Sequence, residues 1–195
     1  MTATSKKGIA VYGAASNSID KTYFTAARAV GAELARRGMT VVNGGGFMGL
    51  MGATIDGALS AGGKATGVIP RFMKERGWDH PRLTECVVVE TMHQRKKTMA
   101  DLSMGVIALP GGIGTFEEVL EIMTWRQLGL FNGNIVLLDI NGFYQPLVEL
   151  LRHATEGGFM RPDHFEHLFT VTADPAEAVA IACTPPEHHD FSRKF

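Results

Sequence analysis

Paired carboxylates close a glycine-rich turn at Leu109-Pro110-Gly111-Gly112-Ile113-Gly114-Thr115-Phe116-Glu117-Glu118. The turn follows the apolar run Val106 to Leu109 and opens an amphipathic segment with Val119, Leu120, Ile122 and Met123, so it reads as strand, turn and helix start. Glycines let the backbone approach a ligand closely, and a helix N-terminus offers unpaired N–H groups and a partial positive charge to an anion such as phosphate. Thr115-x-x-Glu118 also has the form of a capping box, in which Glu118 does no more than satisfy backbone donors; residue types alone leave cap and chemistry both open. A second cluster, Gly44-Gly45-Gly46, costs unfolded-chain entropy that a close backbone approach to another group explains better than a plain tight turn. The third is Met92-His93-Gln94-Arg95-Lys96-Lys97. Cations near a helix start oppose the helix dipole, so an anionic ligand is one reason for Arg95 and Lys96, and a solvated basic face is the other. His93 lacks a partner at metal-ligand spacing and is expected to be a hydrogen-bonded structural residue.

The elements that must position these groups alternate along the chain. Strand patterns fall at Gly8 to Tyr12, Met39 to Asn43, Ala65 to Ile69, Glu85 to Glu90, Val106 to Leu109, Asn134 to Ile140 and Leu168 to Thr172, with helical patterns between them. Asp20 can cap the first helix, whose inward stripe is Phe24, Ala27, Gly31 and Leu34; the stripe of the helix beginning at Met92 is expected to be Met92, Met99 and Leu102. Pro146 suits an early helical position before Leu147, Leu150 and Leu151. This alternation predicts a Rossmann-like three-layer α/β/α fold with a parallel sheet of about seven strands. Ligands in such sheets bind beyond the carboxyl ends of the strands, where Gly13, Gly44 to Gly46 and Gly111 to Gly114 all stand. For these to share one cleft, the strand ending at Leu109 must lie beside the strand ending at Tyr12, with the Glu85 to Glu90 strand displaced outward. Residues 71–81 are charged and aromatic without a period, and form an excursion that could close over a ligand or merely connect elements.

Composition narrows the function. The 195 residues suit one α/β domain over residues 1–183 and a polar tail over 184–195. With 19 basic and 20 acidic residues the net charge is −1, which offers no field for nucleic acid or anionic lipid. Cys86 and Cys183 lie outside any CxxC pattern and read as buried free thiols. His188-His189 in the tail is only faintly a metal tract. Lys6-Lys7 before an apolar run resembles a signal peptide, but the run is too short and holds Tyr12; no later run approaches the roughly 20 apolar residues of a membrane span, so a cytoplasmic location is expected. Gly13-Ala14-Ala15-Ser16 lacks the later glycines of a dinucleotide fingerprint, Asn43 replaces its acidic residue, and no Walker lysine follows GGIGTFEE.

Taken together, Gly44-Gly45-Gly46-x-x-Gly49-Leu50-Met51-Gly52, Met92-His93-Gln94-Arg95-Lys96, Pro110-Gly111-Gly112-x-Gly114-Thr115-x-x-Glu118 and Thr124-Trp125-x-Gln127-Leu128-Gly129 resemble the Lonely Guy family. Its members are cytokinin-activating phosphoribohydrolases, long mislabelled as lysine decarboxylases, and the likeness spans about residues 8 to 182. It implies hydrolysis of the N-glycosidic bond of AMP or an N6-substituted AMP to free base and ribose 5-phosphate, without a cofactor or metal, by a dimer or larger assembly. The family's catalytic pair falls on Arg95 and Glu118. Lys96, Gly111, Gly112, Gly114, Thr115, Glu117 and Thr124 would contact the nucleotide, with Gly44, Gly45 and Gly46 as the second glycine loop. The departures are Gly13-Ala14-Ala15-Ser16 where Gly-Ser-Ser is usual, Asn43 where Tyr is common, and the bulky Phe47. A non-catalytic nucleotide carrier of the same fold is the alternative. A pyridoxal-dependent decarboxylase would need a Schiff-base lysine that the glycine loops do not offer.

Overall fold

The structure is a computed structural model that describes residues 8–186. Its sheet has seven strands in the order β4-β3-β2-β1-β5-β6-β7, all paired in parallel. In chain order these are β1 (Gly8–Tyr12), β2 (Thr40–Asn43), β3 (Lys64–Pro70), β4 (Glu85–Val89), β5 (Ser103–Ala108), β6 (Ile135–Leu138) and β7 (Thr170–Thr172). The helices are α1 (Lys21–Arg36), α2 (Gly49–Ser60), α3 (Arg71–Lys74), α4 (Met92–Asp101), α5 (Ile113–Gln127), α6 (Gln145–Glu156), α7 (Pro162–His167) and α8 (Pro175–Cys183). Strand β5 lies beside β1, and β4 is the outer strand, as the shared-cleft argument requires. The strand order therefore reverses between β1 and β5, the place where such sheets open a crevice.

Alternation along each strand divides the core. Ile9 and Val11 of β1 pack with α1, α2 and α8 through Ala27, Val30, Leu34, Leu50, Ile55 and Val179. Ala10 and Tyr12 face the other way, toward α4, α5 and α6 through Met99, Val119, Ile122 and Val148. Asp20 caps α1 by accepting the Thr22 N–H at 2.8 Å, and Ala27, Gly31 and Leu34 turn inward as their spacing predicts.

One expectation of a buried helix face needs correction. The buried face of α4 is Arg95, Lys96, Met99 and Ala100, while Met92 and Leu102 are exposed. The helix turns its cations inward because carboxylates on α5 await them, and its start is secured instead by a capping box of Thr91 and Gln94. The Thr115/Glu118 capping box does not form, for Gly112 is the N-cap of α5 and lends it no side chain. On α6 the inward position belongs to Val148, and Leu150 is exposed.

The excursion after β3 contains the short helix α3 and is tied by Lys74 to Asp79 at 2.8 Å and by Arg71 to Glu90. Cys86 and Cys183 are half-buried, and His93 is exposed. Among the described residues no helix is long and apolar enough to cross a membrane. Most of the 184–195 tail, with His188-His189, and the Lys6-Lys7 start lie outside the described residues.

Candidate active site

Three loops meet at the carboxyl ends of β1, β2 and β5. The Ala14 N–H donates to the Pro110 carbonyl at 3.0 Å and the Leu50 N–H to the Ala14 carbonyl at 2.7 Å, so the first loop is stitched to the other two. Arg95 reaches this junction from α4. Its Nε donates to the Val68 carbonyl at 3.1 Å and its Nη1 to Glu118 Oε1 at 3.2 Å, and both side chains are largely enclosed, at 8% and 13% exposure.

The triple glycine completes the seat. A Cβ on Gly44 would stand 1.6 Å from Arg95 Nη2, so the guanidinium lies directly against a backbone that only glycine leaves bare. Gly45, with φ of 74°, bends the chain beside Gly67. Asn43 holds the bend in place, accepting the Gly45 N–H at 2.9 Å and donating to the Met51 carbonyl at 3.1 Å. Arg95 is thus located by β2, β3 and α5 at once.

On the other side of the cleft, Gly111 is required by the chain itself, because a Cβ there would meet Thr115 Oγ1 at 2.1 Å. Gly112 and Gly114 differ: neither has positive φ, and a Cβ on either would enter open space. Nothing in the chain's own packing demands glycine at these two positions, whereas a ligand lying along the backbone would. With Gly112 as N-cap, the first N–H groups of α5 have no side-chain acceptor, which is the arrangement that receives an anion.

The loop stands on a support that the sequence reading did not single out. Tyr144, fully buried, donates its hydroxyl to the Leu109 carbonyl at 2.8 Å, and Asp139 fixes Tyr144 by accepting its N–H at 2.6 Å. Phe143 stacks on Phe116 of α5 at 6.1 Å between centroids. A buried tyrosine next to a turn is the signal that could have marked this support, since its hydroxyl must find a partner.

Burial dominates the electrostatics of Glu118 and pushes its carboxyl up to about 7; Arg95 and Lys96 pull it down, and Glu117 and Glu121 add to the rise. Glu118 is therefore divided between acid and carboxylate at neutral pH, which suits a group that moves protons. Tyr12, at the end of β1, is held well above the usual phenol range by burial first and then by Glu118 and Glu121, so it stays neutral. Lys96 donates to Glu117 at 2.6 Å and to Glu121 at 3.1 Å. Burial works against its charge, but these two bonds win and keep the ammonium above the usual lysine range.

Of the residues singled out in the sequence, Arg95, Lys96, Glu117 and Glu118 form one cluster, flanked by Gly44 to Gly46 and by Gly111 to Thr115. Thr124 does not join it; it is exposed on α5 with its hydroxyl donated to the Leu120 carbonyl at 2.8 Å. A cavity of about 570 Å³ lined by Trp125, Phe131 and Ser103 lies at the start of β5, at the opposite end of that strand from this cluster.

A family model described as "possible lysine decarboxylase" matches residues 51–182. The cytokinin riboside 5′-monophosphate phosphoribohydrolase of Rhodococcoides fascians is 43% identical over 157 residues, covering 80% of this chain and 79% of that protein. A probable cytokinin riboside 5′-monophosphate phosphoribohydrolase of Oryza sativa subsp. japonica is 38% identical over 188 residues, 96% of this chain and 77% of that one. Among solved structures, the molybdenum cofactor carrier protein of Chlamydomonas reinhardtii superposes with a TM-score of 0.69 at 24% identity, covering 90% of this chain and 94% of that one. The molybdenum cofactor binding protein of Rippkaea orientalis gives 0.70 at 20% identity, with coverages of 91% and 96%, and both share the fold. The relatives match most of both chains, and the motifs that carry Arg95 and Glu118 are those of one group: the chain belongs to the Lonely Guy family of phosphoribohydrolases.

Proposed function

We propose that this chain hydrolyses the N-glycosidic bond of purine riboside 5′-monophosphates, AMP or its N6-substituted forms, to free base and ribose 5-phosphate. The observation that carries the reading is the enclosed Arg95–Glu118 pair beside a glycine-lined, uncapped helix start. Relatives named for this reaction support it. Phosphate is received by the first turn of α5 and the bare backbone of Gly112 and Gly114. Breaking the bond between C1′ and the base nitrogen builds positive charge on the ribose, which the Glu118 carboxylate stabilises. Water adds to C1′ as the C1′–N bond breaks and gives its proton to Glu118; the departing base takes a proton from solvent, and Glu118 returns its own to solvent to restore the carboxylate. Arg95, its fork fixed by Val68 and Glu118, holds sugar or phosphate oxygens.

Decarboxylation through a lysine Schiff base fits poorly. Such a lysine needs a depressed proton affinity, and Lys96 is held the other way by its two carboxylates.

The chain is further proposed to act as a dimer. Along one side of α5, Ile113, Leu120 and the C-cap Leu128 expose 87%, 43% and 57% of their surface at steps of about two turns, with Thr124 between the last two. A second copy covering this stripe would bring Thr124 to a shared cleft.

Glu118→Gln lowers kcat on AMP or isopentenyl-AMP by about a hundredfold or more, read as free base and ribose 5-phosphate; full activity in this variant defeats the reading, and tight AMP binding without turnover in the wild type favours a carrier. Because the ionised carboxylate is the working form, kcat/KM climbs with pH through about 7 and levels above it. In that pH series Glu117→Gln moves the limb to lower pH by removing a repulsion, and Lys96→Met moves it higher. Gly44→Ala displaces Arg95, so kcat/KM falls about a hundredfold and the limb rises above its wild-type position. Light scattering gives twice the monomer mass for the wild type and the monomer mass for Leu128→Glu.

A further inference from the structure

The excursion after β3 is bonded to the loop that seats Arg95. Gly46 pairs with Asp79 in an antiparallel bridge, the His80 N–H donates to the Gly45 carbonyl at 2.8 Å, and the Phe47 N–H donates to the Trp78 carbonyl at 3.3 Å. Residues 78–80 thereby add a short edge to the triple glycine, and Phe47 and Trp78, joined by that backbone bond, are each nearly half exposed. The His80 ring holds this edge to the body of the protein. It is 6% exposed. Its Nδ1 faces the Arg82 N–H at 3.2 Å and can only accept there, which puts the ring proton on Nε2, 3.2 Å from Asp56 Oδ1 on α2. The Arg82 guanidinium closes the group by pairing with the same carboxylate oxygen.

We infer that His80, oriented by Asp56, is a positioning residue for nucleotide binding: it fixes the Gly45–Phe47 backbone, with residues 78–80 beside it, against α2. The nature of the ligand rests on the function proposed above. The clamp bonds Gly45, Gly46 and Phe47, whereas Arg95 lies against Gly44 and is held by Val68 and Glu118, with the bend at Gly45 also fixed by Asn43. Releasing the clamp therefore weakens ground-state binding and spares the chemical step, a pattern that appears in KM and not in kcat.

Steady-state kinetics on AMP separate the two. His80→Asn keeps an acceptor for the Arg82 N–H but cannot reach Asp56, and is expected to raise KM about tenfold with kcat within about twofold. His80→Gln, whose amide nitrogen can take the place of Nε2, restores KM to within about threefold of the wild type. If His80→Asn does not fold, Asp56→Ala carries the test with the same split. A fall in kcat at unchanged KM, or equal KM in all these variants and the wild type, overturns the inference. Calorimetry of AMP binding in a Glu118→Gln background gives a readout that needs no turnover, with His80→Asn expected to weaken binding about tenfold. Absence of hydrolysis by the wild type would count against the proposed function, and unchanged binding in this background would count against the role of His80.

Discussion

Arg95 is a buried cation on the fourth residue of a helix, where the helix dipole opposes it. Its partner Glu118 is a buried carboxylate that burial drives up to about 7. Neither belongs in a protein interior alone, and each makes the other tolerable. The sign of the effect on folding is the reverse of an ordinary surface carboxylate. A raised folded-state value favours the protonated form, so the contribution of this group is fully present below its ordinary 4.5 and is lost as pH rises through about 7, at a cost on the order of 3 kcal/mol. The surrounding fold, two helices and the ends of two strands, has to carry that cost wherever the carboxylate is ionised. Lys96, bonded to Glu117 and Glu121, ties the same two helices a turn away.

Glycine does two different jobs around this pair. At Gly44 and Gly111 the chain's own atoms, the Arg95 guanidinium and the Thr115 hydroxyl, occupy the space where a Cβ would stand. At Gly112 and Gly114 nothing of the chain does. Asn43, one of the departures from the usual family pattern, is not an idle replacement, since both ends of its amide hold the bend of the triple glycine. Tyr144 performs the matching service for the other loop from the far side of the sheet's end.

The strand order was legible because the glycine loops had to share a cleft, and only one placement of the strand ending at Leu109 allowed it. The first helix was legible because its buried stripe is apolar and its cap is local. The inward face of α4 was not. Hydrophobic periodicity ranks Met92 and Leu102 above Arg95 and Lys96, yet the carboxylates that accept the two cations lie more than 20 residues away in sequence, at Glu117, Glu118 and Glu121. A pattern read along one helix cannot contain that information. The choice between cap and chemistry at Thr115-x-x-Glu118 stayed open for a related reason. Thr91-x-x-Gln94 forms the box, and Thr115-x-x-Glu118 has the same spacing, but Glu118 lies past the first turn of α5 and has a cation to meet. The helix α7 escaped because six residues give too little periodicity to register.

The near-neutral affinity of Glu118 has a consequence for ligand capture. While Glu118 is ionised it cancels Arg95, and an arriving anion finds a cleft with little net attraction; once Glu118 is protonated the guanidinium is unbalanced and the attraction is restored. An anion seated at the start of α5 in turn raises the proton affinity of a carboxylate one to two turns along the same helix. For the function proposed above, occupancy and protonation would be thermodynamically linked, the cleft drawing protons from the medium near neutral pH as it filled and giving them back as it emptied.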